Sequence, residues 1–164
     1  MEMNCLSGES EPRESVAHTR RLHPKAPNVA IQVRHRFQAT AQTVFDAWLD
    51  PRLTGRWLFA TASRPVTHVA IDARVGGAFC LVERENGRLI EHTGEYLDIA
   101  SPHRLAFTLS LENHPRVITR VTVQISAVKR GCDLTVRHEN LPQECARTAE
   151  ARWTGMLYGL GVTL

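Results

Sequence analysis

Val29, Ile31, Val33, His35 and Phe37 alternate with Gln32, Arg34 and Arg36, the period-2 spacing of a strand with one face in a core and the other in water. Thr40 then stands at an N-cap position ahead of 41–50, where Val44, Ala47 and Trp48 share one helical face. Asp50–Pro51 ends that helix and opens a second short one over 51–57, because proline fits a first helical turn. Extended runs follow at 66–71, 77–84, 88–99, 103–111, 116–127 and 132–139. Their short polar turns make an antiparallel meander the economical topology. From Pro142 the period changes. Ala149, Trp153, Met156, Leu157, Leu160 and Leu164 recur at intervals of three and four, predicting a helix of about 20 residues. Gly155, Gly159 and Gly161 weaken it by roughly 1 kcal/mol each relative to alanine, and they read as room for close sheet contact or for a ligand.

The Gly76–Gly77 pair beside an apolar run raises the question of a nucleotide site. A phosphate loop needs its glycines after a strand and ahead of a helix. Here Phe79, Leu81 and Val82 favour a strand instead, and Glu85-Asn86-Gly87 is hairpin-turn chemistry. The pair is read as the bend that launches a strand, since glycine permits unusual φ and close backbone passage.

Composition narrows the function classes. The 164 residues are 43% hydrophobic, enough for one domain with a real core. Residues 1–27 carry no apolar periodicity and are expected to be a loosely attached tail, leaving 28–164 as a single domain. The net charge is +3, and the basic residues are scattered over several strands, without the stripe a nucleic-acid binder needs. Nucleic acid is therefore not expected as a partner. No stretch reaches membrane-spanning length, and Arg20–Arg21 is not followed by an apolar export segment. A cytoplasmic protein is expected. Cys5, Cys80, Cys132 and Cys145 show no paired spacing and are read as free thiols; eight histidines form no zinc-type cluster. Neither metal nor cofactor is expected.

Candidate chemistry is sparse. Leu134, Val136 and His138 share one face of a strand, which points His138 inward near the start of the long helix. There it either donates to a ligand or acts as an acid or base, or it is a buried hydrogen-bonded joint between strand and helix. Trp48, Trp57 and Trp153 either stack on a ring-bearing ligand or fill the core. The core reading is stronger for Trp48 and Trp153, which fall in helical periodicities, than for Trp57 beside a loop. Glu91 and Glu95 alternate with Tyr96 and Asp98, giving a solvated face rather than an acid/base pair. Cys80 lies among apolar neighbours, where a thiol stays inert, and Ser101 lacks the surroundings of a nucleophile.

One resemblance rests on the order and spacing of several segments together: VFDAWLDPRLTGRW at 44–57, DARVGGAF at 72–79, GEYLDIASPHRLAFTLSLE at 94–112, TRVTVQI at 119–125, GCDLTVRHENLP at 131–142 and RWTGMLYGL at 152–160. In these the chain resembles the heat-shock protein 90 ATPase activator homologue-like family of the START/SRPBCC (Bet v 1-like, helix-grip) superfamily. The resemblance implies an α+β fold, a curved antiparallel sheet of about seven strands wrapped around the C-terminal helix, with two short helices after the first strand. It also implies an apolar cavity between sheet and helix. Trp57, Tyr96, Phe107, Leu109 and Val123 are expected to line it. Val136 and His138 extend the sheet wall, and Trp153, Met156 and Leu157 supply the helix wall.

The leading functional expectation is a binding module that encloses a small apolar or aromatic ligand between sheet and helix. The second is a cyclase- or hydrolase-like enzyme, which needs ionisable side chains converging in the cavity; His138, His35 and Tyr96 are the available groups. The third, a chaperone accessory, rests on the family name alone. Relatives of this kind often pair, so a weak homodimer is expected.

Overall fold

The computed structural model describes residues 27–164 except 112–113; the expected tail therefore lies outside the described residues, Pro27 apart. Seven strands form one antiparallel sheet: β1 (Asn28–Phe37), β2 (Val66–Ile71), β3 (Ala78–Glu85), β4 (Arg88–Ala100), β5 (Arg104–Leu111), β6 (His114–Val128) and β7 (Gly131–Pro142). Their spatial order is β1-β7-β6-β5-β4-β3-β2. Strands β2 to β7 are a meander, and β1 closes on the far edge by pairing with β7. Two short helices, α1 (Ala41–Asp46) and α2 (Pro51–Trp57), follow β1, and α3 (Ala146–Thr163) ends the chain. This is the helix-grip architecture expected of the sequence.

Local signals account for the joints. The Thr40 side chain accepts from the Thr43 amide at 3.1 Å, and Asp50 accepts from the Arg52 amide at 2.9 Å, with Pro51 in the first turn. Both caps satisfy amides that a helix start leaves unpaired. Asn86 and Gly87 both take positive φ, 48° and 80°, and Glu85 pairs directly with Arg88, the two-residue hairpin turn that an Asn-Gly pair favours. At the glycine pair, Gly76 has φ +80°, and a Cβ on Gly77 would lie 2.1 Å from the Asp72 carbonyl oxygen. The Gly76 amide donates to Tyr96 O and the Tyr96 amide to Gly77 O. The bend is thus fastened to β4, and β3 leaves from it.

Two expectations about the last helix are corrected. Pro142 does not begin it: the residue is extended (φ −54°, ψ 138°) and ends β7 opposite Asn28. A 3₁₀ turn over Gln143–Cys145 then leads into α3, and Leu164 is exposed rather than packed. Of the helix glycines, Gly161 faces β1, where a Cβ would lie 3.6 Å from the Phe37 ring, but Gly155 and Gly159 are not sites of close approach. A Cβ at Gly155 would meet nothing within 4 Å, and one at Gly159 would lie 3.9 Å from Trp57 Cβ. Gly155 is solvent-exposed in the middle of α3, so Gly155→Ala is expected to raise stability by about 1 kcal/mol through helix propensity alone. Urea denaturation checks this; a destabilised variant would mean that the position is packed after all.

The core lies between one sheet face and the three helices, with α3 packed on β1, β7 and α2. Aromatic rings fill its centre. Trp48 meets Trp57 edge-on at 4.7 Å and lies 6.2 Å from Phe107, while Phe79 meets Phe107 at 90° and Tyr96 at 5.4 Å. These are favourable ring geometries. The residual space bounded by Trp48, Leu58, Phe79, Tyr96 and Phe107 is about 10 Å³, no more than a single water requires.

Candidate functional site

A half-open pocket lies beside this packed centre, toward the first half of α3. It has a volume of about 210 Å³. Helix periodicity supplies one wall: Thr148, Ala149, Arg152, Trp153 and Met156 recur at three and four, continuing Glu144 and Cys145 of the 3₁₀ turn. Leu109, Ser110 and Leu111 of β5, with His138 and Leu141 of β7, make the opposite wall. Phe59 and His92 close one end.

The structure divides the expected lining residues. Leu109, His138, Trp153 and Met156 line this cavity. Tyr96 and Phe107 bound the 10 Å³ gap instead, and burial pushes the Tyr96 phenol well above its ordinary pKa. Val123, Val136 and Leu157 are buried in the continuous core. Trp57 is 1% exposed and donates from Nε1 to the Ala47 carbonyl at 3.1 Å, so it fastens α2 to α1 and is not at a cavity mouth. The physical reason is common to all six. The helices after β1 drive two tryptophans under the sheet, filling the middle of the sheet–helix layer. His35 lies against Phe37, the rings tilted by 49° with centroids 4.6 Å apart, and does not line the cavity.

His138 is 2% exposed and its two nitrogens have protein partners. The Trp153 Nε1–H donates to Nδ1 at 3.1 Å. Nε2 lies 2.7 Å from Thr119 Oγ1, which is itself 2.8 Å from the Leu109 carbonyl oxygen. These directions assign the proton to Nε2: Trp153 donates to His138, His138 to Thr119, and Thr119 to Leu109 O. Burial holds the imidazole pKa down to about 4 because charging it without water is costly. The neutral ring ties β5, β6, β7 and α3 together.

A second polar cluster gathers around Phe59 and His92 at the end they close, and none of its members was a sequence candidate. Glu83 is fully buried, on the β3 face that also carries Phe79 and Leu81. A single oxygen, Oε1, receives Arg64 Nη2 at 2.5 Å, His92 Nε2 at 3.0 Å and Arg152 Nη2 at 3.4 Å. Oε2 is buried without a hydrogen-bond partner among the described residues. The His92 ring, 3% exposed, stacks on Phe59 at 3.9 Å and 11°. Arg152 lies over the same ring, its guanidinium carbon 5.7 Å from the centroid. Phe59 itself has φ +60°, a left-handed conformation that costs a bulky residue about 1–3 kcal/mol. Its amide donates to Met156 Sδ at 3.2 Å. Strain, a buried carboxylate and an unpaired oxygen thus meet at one end of the cavity, where hydrophobic packing alone would require none of them.

The sequence did carry a signal for this cluster. The Asn86–Gly87 turn sets the β3–β4 register, Leu81 opposite His92 and Glu83 opposite Ile90, so alternation alone puts Glu83 and His92 diagonally together on the inward face. Arg64 and Phe59 come from the aperiodic loop after α2 and have no comparable signal.

Residues 38–164 match the model of the family described as Activator of Hsp90 ATPase homolog 1-like protein. The chain belongs to this family. Solved structures agree on the AHSA1-like fold. A protein from Chromobacterium violaceum superposes with a TM-score of 0.74 at 24% identity, covering 83% of this chain and 96% of its own. An AHSA1-like protein from Aeromonas hydrophila gives 0.72 at 22% identity, covering 82% and 90%. CalU16 from Micromonospora echinospora gives 0.65 at 24% identity, covering 87% and 80%. No curated protein matches the chain.

In the AHSA1-like chain, no helix among the described residues is long and apolar enough to cross a membrane. No three His, Cys, Asp or Glu side chains among them are grouped to hold a metal ion. Cys80, Cys132 and Cys145 are free thiols, and burial raises the pKa of each, so they are held in the less reactive form.

Proposed function

We propose that this AHSA1-like protein binds a small molecule, enclosing an apolar or aromatic body between the β5–β7 wall and the first half of α3. The observation that carries the reading is the 210 Å³ space left there, beside a centre packed to within about 10 Å³. Leu109, Leu111, Leu141, Ala149, Trp153 and Met156 make its walls mainly apolar, with Ser110, His138, Thr148 and Arg152 set among them, the usual make-up of a ligand site. The volume is below the roughly 300–1,000 Å³ typical of drug-sized ligands, which favours a one- or two-ring molecule.

Titration with 1-naphthylamine, uncharged at neutral pH, tests this. Trp153 lines the cavity whereas Trp48 and Trp57 do not, so saturable one-to-one quenching is expected, and Trp153→Phe is expected to remove most of it. Filling the space with Ala149→Phe is expected to abolish binding while the fold survives. Absence of saturable quenching in the wild-type protein would refute the reading. The enzyme alternative has one observation in its favour, the imidazole of His92 bonded to a buried carboxylate at the cavity end, an arrangement that orients a general base.

A further inference from the structure

We propose that the occupant of this cavity is a small carboxylic acid in its ionised form, its apolar body along Leu109, Trp153 and Met156 and its carboxylate on Arg152; the proposal rests on the ligand-binding reading above. The argument turns on how Arg152 is held. It projects from the second turn of α3 onto the cavity wall, and its side chain is 34% exposed. Its one hydrogen bond to the described residues is to Glu83 Oε1, at 3.4 Å, the long limit of such a contact. That oxygen already has Arg64 at 2.5 Å and His92 at 3.0 Å, so Arg152 is the outermost of three donors on one acceptor. A guanidinium has five N–H donors in a planar fork. Most of this fork is without a protein acceptor among the described residues, while the stack on Phe59 limits where it points.

A carboxylate is the group that such a fork matches with two parallel hydrogen bonds. The buried Glu83 does not saturate the Arg152 fork, since Arg64, at 2.5 Å against 3.4 Å, is its nearest cation. Glu83 acts instead as a brace that stops Arg152 swinging out of the wall. Glu144, the acidic residue among the lining groups, is exposed on the 3₁₀ turn, where water and salt screen it. The first turn of α3 adjoins the same space, and its dipole adds in the same sense.

The test compares 2-naphthoate with its uncharged counterpart 2-naphthamide by calorimetry at pH 7 and low salt. The wild-type protein is expected to bind the naphthoate at least tenfold more tightly. Arg152→Gln is expected to remove that preference and leave naphthamide affinity within about twofold, and Arg152→Lys is expected to restore part of it. The Arg152 Nε–H resonance of the wild-type protein is expected to move on adding naphthoate and not on adding naphthamide, a readout that does not depend on any variant folding. Equal affinity for the two probes, undiminished naphthoate preference in Arg152→Gln, or an unmoved Arg152 resonance at saturation overturns the proposal while leaving the cavity reading in place. Failure of both probes to bind overturns the two together.

Discussion

Glu83→Leu is expected to lower the unfolding free energy by about 3 kcal/mol, the lower end of the range for stranding a buried ion-pair partner. The carboxylate is completely buried, whereas Arg64 and Arg152 keep 22% and 34% of their side chains in water. Removing the acid leaves two cations and the His92 imidazole converging on an apolar methyl group. Removing Arg152 leaves the acid with Arg64 and His92 still bonded. The asymmetry predicts that Arg152→Gln costs less than about 1 kcal/mol, in line with a half-exposed pair, and that Glu83→Gln falls between the two. Urea midpoints of the three variants check the order. If Glu83→Leu were neutral, the cluster would be a surface-like pair whose arginines simply turn to solvent.

The second large effect is at His138. His138→Leu leaves the Trp153 N–H buried without an acceptor and deprives Thr119 Oγ1 of its donor. An unsatisfied buried group costs about 1–3 kcal/mol, so a loss of roughly 2–4 kcal/mol is expected for the pair. His138→Asn retains one polar contact and is expected to lose less. The histidine also makes stability depend on pH, with a definite sign. Its folded pKa of about 4 lies below the roughly 6.5 of an unfolded chain. Between these values the unfolded state binds the proton and the folded state does not, so stability is full above about pH 6.5 and falls as pH is lowered toward 4. The loss attributable to this one group is on the order of 3 kcal/mol. Comparing wild type with His138→Leu at pH 7 and pH 4.5 isolates it: the gap between them is expected to narrow in acid. A gap that stays constant would mean that the ring is charged, or hydrated, in the folded protein.

These two sites differ in how readable they were. His138 follows from alternation, because Leu134 and Val136 are apolar and the histidine continues their face. The strands, the Thr40 and Asp50 caps and the Asn86–Gly87 turn follow from equally local chemistry. Glu83 obeys the same alternation, after Phe79 and Leu81, but a carboxylate in a strand ordinarily marks the wet face, and only the partners brought by a loop and a distant helix reverse that. The position of the cavity was beyond local pattern altogether. Tyr96, Phe107, Val123, Val136 and Leu157 are inward-facing as expected, yet whether an inward residue meets a ligand or another side chain depends on the bulk placed beneath it, here Trp48 and Trp57. Periodicity reports which face is buried, not what fills the space it faces.

The pairing of β1 with β7 bears on how the chain is made. Among the described residues Asn28–Phe37 is paired with Cys132–Pro142 alone, so about a hundred residues must be added after the first strand before this pairing can form. At the usual 5–20 residues per second of synthesis, that interval is on the order of ten seconds. During it the β2–β6 meander has its neighbours at hand, while the Val33 and Phe37 face does not. Arg34 and Arg36 on the opposite face then supply the charge that discourages a waiting edge from pairing with another nascent chain.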